Sequence, residues 1–197
     1  WDTERMSSNN ETSFIDPKEA AILLELAGRS IRNGLEKGSA LRPDLALLPP
    51  SLKANGASFV TLKLHGELRG CIGTLEARLP LAVDVAQNAH ESAFHDPRFP
   101  SVTEKEFSSL GIHISVLTPP QPMSFESEED FLGQLRPGKD GIILAEGYRR
   151  GTFLPAVWEE LPKPKDFLRY LKMKAGLPQD YWSKTIKAYR YETQYIP

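Results

Sequence analysis

Two segments with strand character, residues 57–64 and 68–74, are separated only by the turn His65-Gly66-Glu67. Because so short a connection joins neighbouring antiparallel strands, this pattern predicts a β-hairpin. Similar patterns predict further strands at residues 112–117, 141–145, 151–154 and 185–195. The middle two of these flank a tight turn and predict a second hairpin.

Helices are predicted among these strands from their end signals and apolar periodicity. The first begins at Asp16-Pro17, an N-cap followed by a proline at the first helical position, with Glu19 completing the capping pattern. Its apolar stripe stops near Asn33-Gly34. Further helices are predicted at residues 79–94, 127–135 and 166–175.

Strands joined by short turns and mixed with helices indicate an α+β fold with mainly antiparallel sheets. We expect residues 14–197 to form one compact domain, which could divide into two subdomains. Residues 1–13 are rich in Ser, Thr, Asn and Glu, so we expect a flexible N-terminal tail there.

The composition excludes several classes of protein. With 40% hydrophobic and 25% charged residues in 197, the chain can form a core, and wholesale disorder is excluded. The single cysteine, Cys71, excludes an internal disulfide framework and a Cys-rich zinc site. It fits a reducing compartment such as the cytoplasm, where we expect the protein, although a secreted protein without disulfides would have the same composition. No stretch approaches the roughly 20 apolar residues that span a bilayer, so we expect no membrane segment.

Basic residues are concentrated in residues 163–190, which contain eight lysines and arginines and only two acidic residues, Asp166 and Asp180. Aromatic residues are interleaved with them, a pattern that could bind single-stranded nucleic acid. The simpler interpretation is that Phe167, Tyr170 and Leu171 pack inwards while lysines cover the outside of a helix. We therefore do not expect nucleic-acid binding. Neither a Walker sequence nor Gly-x-Gly-x-x-Gly is present to bind a nucleotide.

The most informative segment for chemistry is residues 68–74. On a regular strand, Arg69, Cys71 and Gly73 share one face, and an arginine beside a thiol favours the reactive thiolate. The alternative is that Cys71 is a small buried hydrophobic residue. Gly70 and Gly73, within an otherwise apolar strand, predict a bulge or the close approach of another segment.

Other arginines could complete an anion site. Arg98, in the turn that Asp96 begins, could join Arg69 as an anion-binding fork, or it could form a structural salt bridge. Arg149 and Arg150 lie at the predicted second hairpin, where at most one of them would face a pocket. The alternative for that pair is a solvated turn.

The four histidines form no recognisable metal-binding pair. His90 and His95 are five residues apart and are expected to be poorly aligned on a helix, while His65 lies in a turn and His113 on a strand. We therefore expect no metal site. A dyad between Cys71 and either His90 or His95 remains an open alternative, because the fold sets such pairs.

The run Leu68-Arg69-Gly70-Cys71-Ile72-Gly73 resembles the signature of the AMMECR-type domain family. Further blocks match that family in order: Phe59-Val60-Thr61-Leu62, Asp96-Pro97-Arg98-Phe99-Pro100, Ile114-Ser115-Val116-Leu117, Gly138-Lys139-Asp140-Gly141-Ile142, Arg149-Arg150-Gly151-Thr152-Phe153-Leu154-Pro155 and Lys174-Ala175-Gly176-Leu177. The resemblance extends from about Ile15 to Tyr195, which is nearly the whole chain.

The resemblance implies a compact, intracellular α+β protein of a family without an agreed biochemical activity. In bacteria and archaea such domains occur beside a Memo-like protein and a radical S-adenosylmethionine enzyme, the AmmeMemoRadiSam system, which implies a shared pathway. Enzymatic activity is left open, and no cofactor is implied.

The placement of the signature suggests a cleft around Cys71 that binds a small anionic ligand. Cys71 would be the nucleophile or the carrier of an intermediate. The candidate ligand-binding residues are Arg69, Gly70, Gly73, Asp96, Arg98, Arg149 and Arg150. The alternatives are a non-catalytic protein-binding module in the same system and a nucleic-acid-associated regulator that uses the basic face of residues 163–190.

Overall fold

A computed structural model describes residues 14–197, which contain two antiparallel β-sheets with packed helices. The helices are α1 (Pro17–Lys37), α2 (Pro50–Lys53), α3 (Leu81–Phe94), α4 (Glu104–Phe107), α5 (Glu128–Gln134) and α6 (Pro164–Lys174). The strands are β1 (Asn55–Leu64), β2 (Glu67–Gly73), β3 (Leu79–Pro80), β4 (Leu110–Leu117), β5 (Gln121–Pro122), β6 (Gly141–Glu146), β7 (Arg149–Phe153), β8 (Lys187–Tyr191) and β9 (Thr193–Ile196). The predicted α+β fold class is confirmed.

The first sheet has the order β2-β1-β4-β9, with β3 paired to the start of β1. Helices α1 and α3 pack on each other and cover one face of this sheet. The core between them contains Leu23 and Ile31 from α1, Val85 from α3, and Val60 and Ile114 from the strands, all fully buried. Alternation along β1 and β4 therefore directs one set of side chains to the helices and leaves the other set on the opposite face.

The second sheet has the order β5-β8-β6-β7 and packs with α5 and α6 around a separate core. In that core the rings of Trp158 and Phe167 stack with their centroids 3.8 Å apart. A smaller cluster, including Ala57 and Leu117 from the first sheet and Ile143 from the second, joins the two sheets. Each sheet thus has its own core, and the two are packed together.

The C-terminal segment differs from the single strand predicted at residues 185–195. It forms β8 in the second sheet and β9 in the first, with Glu192 between them. Arg136 Nη2 lies 2.9 Å from Glu192 Oε1, and the Glu192 amide donates to Thr118 Oγ1 at 2.8 Å. Periodicity predicted the extended backbone correctly, but it carries no information about which sheet each half joins.

Two helix ends also differ from the prediction. α1 continues past Gly34 to Lys37 and ends at Gly38, whose φ of 74° is left-handed. Gly34 instead accommodates the rings of Phe94 and His90, which approach its backbone. α3 begins at Leu81 rather than at residue 79, because residues 79–80 pair with β1. Within residues 14–197, no helix is both long and apolar enough to span a bilayer.

Candidate functional site

The hairpin of β1 and β2, which carries Cys71, is irregular at Arg69. Its register pairs Thr61 with Cys71, Leu62 with Gly70 and Lys63 with Leu68. Arg69 consequently has no residue opposite it, which defines a bulge. A bulge interrupts strict alternation, so the face that we predicted Arg69 and Cys71 to share is not formed. The bulge predicted from the glycines is confirmed.

Arg69 lies in a buried ion pair. Its Nε and Nη2 nitrogens donate to the two carboxylate oxygens of Glu106 in α4, at 2.9 and 3.1 Å, and Nη2 also approaches the Ser101 carbonyl oxygen at 3.3 Å. Hydrogen bonding to Arg69, reinforced by the Thr103 amide, lowers the pKa of Glu106 to about 2. The predicted fork of Arg69 with Arg98 is therefore not formed, because Arg69 is engaged with its own carboxylate.

Gly70 and Gly73 are positions of close packing. A Cβ atom on Gly70 would lie 2.1 Å from the Ser92 carbonyl oxygen in α3, and one on Gly73 would lie 2.3 Å from the Phe59 ring. The predicted close approach of another segment is thus confirmed at both glycines, and it explains why the strand carries no side chain there.

Polar side chains of α3 hold the helix against the hairpin. Ser92 Oγ accepts from the Ile72 amide at 2.9 Å and donates to the Val60 carbonyl at 2.8 Å. Asp84, eight residues earlier in α3, accepts from Ser58 Oγ at 2.7 Å and from Thr74 Oγ1 at 2.5 Å. Burial raises the pKa of Asp84, and these hydrogen bonds oppose that effect. The part of the hairpin that follows Cys71 and the neighbouring strand β1 are therefore held against α3.

Asp96 and Arg98 clamp the peptide groups of Cys71. Asp96 Oδ2 accepts the Cys71 amide at 2.9 Å, and Arg98 Nη2 donates to the Cys71 carbonyl at 3.3 Å. The two side chains also pair directly, with Arg98 Nη2 2.7 Å from Asp96 Oδ2. This bond to Arg98 is the main reason why the pKa of the buried Asp96 lies well below its usual range. The structural salt bridge considered for Arg98 is present, and it lies beside Cys71.

The thiol of Cys71 lies on the face of the first sheet that α1 and α3 do not cover. The side chain is half-buried, and its sulfur lies 3.3 Å from Thr61 Oγ1. Thr61 is paired in turn with His113 on β4, and Tyr195 on β9 approaches His113 Nδ1 at 2.7 Å through its hydroxyl. Paired residues of neighbouring strands share a face. We call these four side chains, Cys71, Thr61, His113 and Tyr195, the polar row.

Thr61 and Tyr195 were not predicted as site residues, and His113 was noted only for its place on a strand. The signal that could have found them is the pairing register, because only the register aligns positions 61, 71 and 113 across three strands. A single sequence gives the alternation within each strand but not the offset between strands.

His113 provides a neutral imidazole on this face. Burial lowers its pKa, and the positive charge of Lys63 lowers it further. Its neutral form therefore predominates at pH 7.

We expect the substitution Lys63→Gln to raise the pKa of His113, because it removes the repulsive charge and leaves the burial in place. An NMR titration of the imidazole ring measures this shift. A His113 titration curve unchanged by the substitution would contradict the role of Lys63.

No cysteine–histidine dyad is formed by the side chains of residues 14–197. The sulfur of Cys71 contacts Thr61, whereas His90 and His95 lie together with Glu91 between them. The expectation that these two histidines are poorly aligned is wrong, since their ring centroids are 5.3 Å apart. The reason is that α3 ends at Phe94, and His95, with φ of −129°, leaves the helical path.

Arg149 and Arg150 lie on β7 at the edge of the second sheet, whereas Cys71 lies in the first. Arg149 Nη1 donates to the Gly176 carbonyl at 2.8 Å, and both side chains are exposed. Among the described residues, no hydrogen bond or ion pair links either arginine to Cys71. This arrangement agrees with the alternative of a solvated turn.

The basic face predicted for residues 163–190 is partly neutralised by pairing. Three of its members pair with acidic groups: Arg169 with Asp166, Lys172 with Glu128 and Arg190 with Asp140. Lys172 is fully buried and Tyr170 is 42% exposed, so the expectation that lysines cover the outside of α6 while Tyr170 packs inwards is wrong at these two residues. A buried charge requires a compensating partner. The Lys172 ammonium has two: the Glu128 carboxylate, and the Trp182 ring, whose centroid lies 5.5 Å away.

A cleft of about 190 Å³ lies at the start of β1, where its mainly apolar lining includes Leu75, Leu81 and Leu117. Cys71 does not border this cleft.

The chain is similar over most of its length to several known proteins. A protein of Thermofilum pendens is 36% identical over 192 residues, which cover 91% of this chain and 90% of that protein. A protein of Thermotoga maritima is 37% identical over 168 residues, with 84% and 91% covered. The crystal structure of the uncharacterized protein PH0010 from Pyrococcus horikoshii superimposes with a TM-score of 0.81 at 34% identity, covering 92% of each chain.

The AMMECR1 family model matches residues 24–196, which include both sheets and every residue of the polar row. The match confirms the resemblance found in the sequence. By this match and by its similarity to these relatives, the chain belongs to the AMMECR1 family.

Proposed function

We propose that the open face of the first sheet binds a small anionic ligand beside Cys71, with Arg98 as the attracting cation. The observation that carries this proposal is the position of the Arg98 guanidinium, which is bonded to the Cys71 carbonyl and remains about half exposed at 54%. Its Nε and Nη2 nitrogens are engaged by Asp96, whereas Nη1 makes no hydrogen bond within residues 14–197. That nitrogen is available to an anion.

The polar row gives such a ligand further hydrogen-bonding partners. Thr61 offers a hydroxyl. The neutral His113 offers its Nε2 nitrogen, because its Nδ1 is engaged by the Tyr195 hydroxyl. Cys71 and His113 are separated by two strand spacings, roughly 10 Å, so the imidazole does not take the thiol proton directly. A ligand that extends along the row would contact both groups, with Cys71 as its nucleophile or its covalent carrier.

The partners that we propose are a Memo-like protein and a radical S-adenosylmethionine enzyme acting in the same pathway. A second candidate function is a non-catalytic docking module in that system. It is favoured by two large apolar side chains on the first sheet, Leu68 at 43% and Tyr195 at 56% exposure. The two functions are separable, because the substitution Cys71→Ala should abolish pathway activity only where the thiol takes part in the chemistry.

We expect the substitution Arg98→Gln to reduce selectively the reactivity of Cys71 towards an anionic reagent. The rates of alkylation by iodoacetate and by neutral iodoacetamide would be compared, and Cys71 is the only cysteine in the chain. A unit charge about 4 Å away contributes about 1 kcal/mol in water, so the iodoacetate-to-iodoacetamide ratio should fall about fivefold.

The matched control is Arg98→Lys, which keeps the charge and should keep most of the ratio. Arg29→Gln removes an exposed arginine of α1 and should leave the ratio unchanged. If Arg98→Gln alters both alkylation rates equally, Arg98 does not attract anions to Cys71 and the proposal fails.

A further inference from the structure

We propose that His90, Glu91 and His95 form a binding site for Zn²⁺ or a similar divalent transition-metal ion at the C-terminal end of α3. Each residue offers one ligand atom, and these three atoms lie within 4.8 Å of one another. Two imidazole nitrogens and a carboxylate oxygen are a donor set that zinc accepts. This site is independent of the chemistry proposed for Cys71.

The distances within the cluster approach those that a bound ion requires. Zinc at about 2.0–2.1 Å from tetrahedral ligands holds those ligands roughly 3.3 Å apart. Glu91 Oε1 lies 3.4 Å from His90 Nδ1 and 3.0 Å from His95 Nδ1. Two of the three separations therefore already match, and only the two imidazoles have to move closer together.

The mobility of the ligands suits that adjustment. His90 is held in place, with 8% of its side chain exposed and its ring 4.9 Å from that of Phe94. His95 is 58% exposed and lies beyond the last helical turn, so its ring can rotate towards His90 without disturbing the core. The exposed side of the cluster leaves room for water to complete the coordination.

The electrostatics of the cluster also favour a cation. The partial negative charge at the end of a helix stabilises positive charge there, and Glu91 adds a full negative charge. Within residues 14–197, the ion pairs of Glu91 are to the two histidines alone, so no lysine or arginine competes for its carboxylate. A metal ion would take the place of the present contacts between the imidazole nitrogens and the Glu91 carboxylate.

The test is calorimetric titration of the metal-free full chain with ZnCl₂ at pH 7.5. We expect saturation at one ion per chain, and at least tenfold weaker binding for His95→Ala, whose exposed side chain can be removed without disturbing the packing. Glu91→Gln should weaken binding by a similar factor. Because protons compete for the imidazoles, affinity should fall at pH 5.5.

Two controls separate this site from other zinc ligands. Cys71→Ser and His113→Ala remove donors of the polar row and should leave the affinity unchanged. In an imidazole ¹⁵N spectrum, zinc should shift the ring nitrogens of His90 and His95 and no others. Absence of binding, or binding that survives His95→Ala and Glu91→Gln, would overturn the proposal.

Discussion

Replacing Glu106 with glutamine should destabilise the protein by about 3 kcal/mol at pH 7, because it leaves the Arg69 guanidinium buried without a counter-charge. Only 10% of the Arg69 side chain and 25% of the Glu106 side chain are exposed. Glutamine at this position can still complete the capping box of α4 with Thr103, so the substitution removes the charge and keeps the cap. Equilibrium unfolding in urea measures the loss.

The control for this prediction is Glu104→Gln in the same helix. Glu104 pairs with Arg32 at the surface, where 66% of its side chain is exposed, so its removal should cost less than about 1 kcal/mol. The double substitution Arg69→Met with Glu106→Gln should recover much of the lost stability, because it also removes the buried cation. Equal, small effects of Glu104→Gln and Glu106→Gln would show that the ion pair is not effectively buried.

The ion pair of Arg69 and Glu106 also makes the stability of the protein depend on pH in the acid range, which can be measured independently. The pKa of Glu106 is lowered from 4.5 to about 2 in the folded protein. A depressed folded-state pKa gives stability that is present above pH 4.5 and is lost as the pH falls through 2. Between pH 4.5 and about 2, the free energy of unfolding should therefore fall less steeply for Glu106→Gln than for the wild type.

Gly70→Ala should destabilise the protein by about 3 kcal/mol, because the added methyl group has no space. The new Cβ would lie 2.1 Å from the Ser92 carbonyl oxygen, and this oxygen belongs to the backbone of α3. Relief of the clash requires α3 to move away from β2, which weakens the bond from the Ile72 amide to Ser92 Oγ. The melting temperature should fall by about 6–12 °C for a domain of this size.

Gly133→Ala is the matched control, since Gly133 lies in α5 with nothing within 4 Å of the added Cβ. Alanine is the better helix former, so that variant should be neutral or slightly more stable than the wild type. Similar melting temperatures for the two variants would mean that α3 does not pack closely against Gly70.

The local elements were largely predictable because their signals lie within a few residues of one another. The capping box of Asp16 and Glu19 is present at the start of α1, as the sequence predicts. The hairpin of β1 and β2 also forms where the turn indicates, and Ser127 caps α5. Such features depend on backbone sterics and on hydrogen bonds between near neighbours, which the order of residues specifies directly.

Predictions about side-chain partners failed where the partner is distant in the chain. The alternation of β2 placed Arg69 with Cys71, but one unpaired residue in the hairpin redirects Arg69 to Glu106, 37 positions away. His95 approaches His90 because the helix ends between them. The split of the C-terminal segment between two sheets likewise depends on distant partners, because β8 pairs with β6 and β9 pairs with β4.

The sequence by itself determined the α+β class, the family, and the positions of most helices and strands. Only the tertiary structure decided that Asp96 and Arg98 clamp Cys71, that Thr61, His113 and Tyr195 continue the row from it, and that Arg69 is withdrawn into an ion pair. The physical reason is that local conformation follows from short-range sterics and periodicity. The composition of a site follows from strand register and helix packing, which bring together residues far apart in the chain.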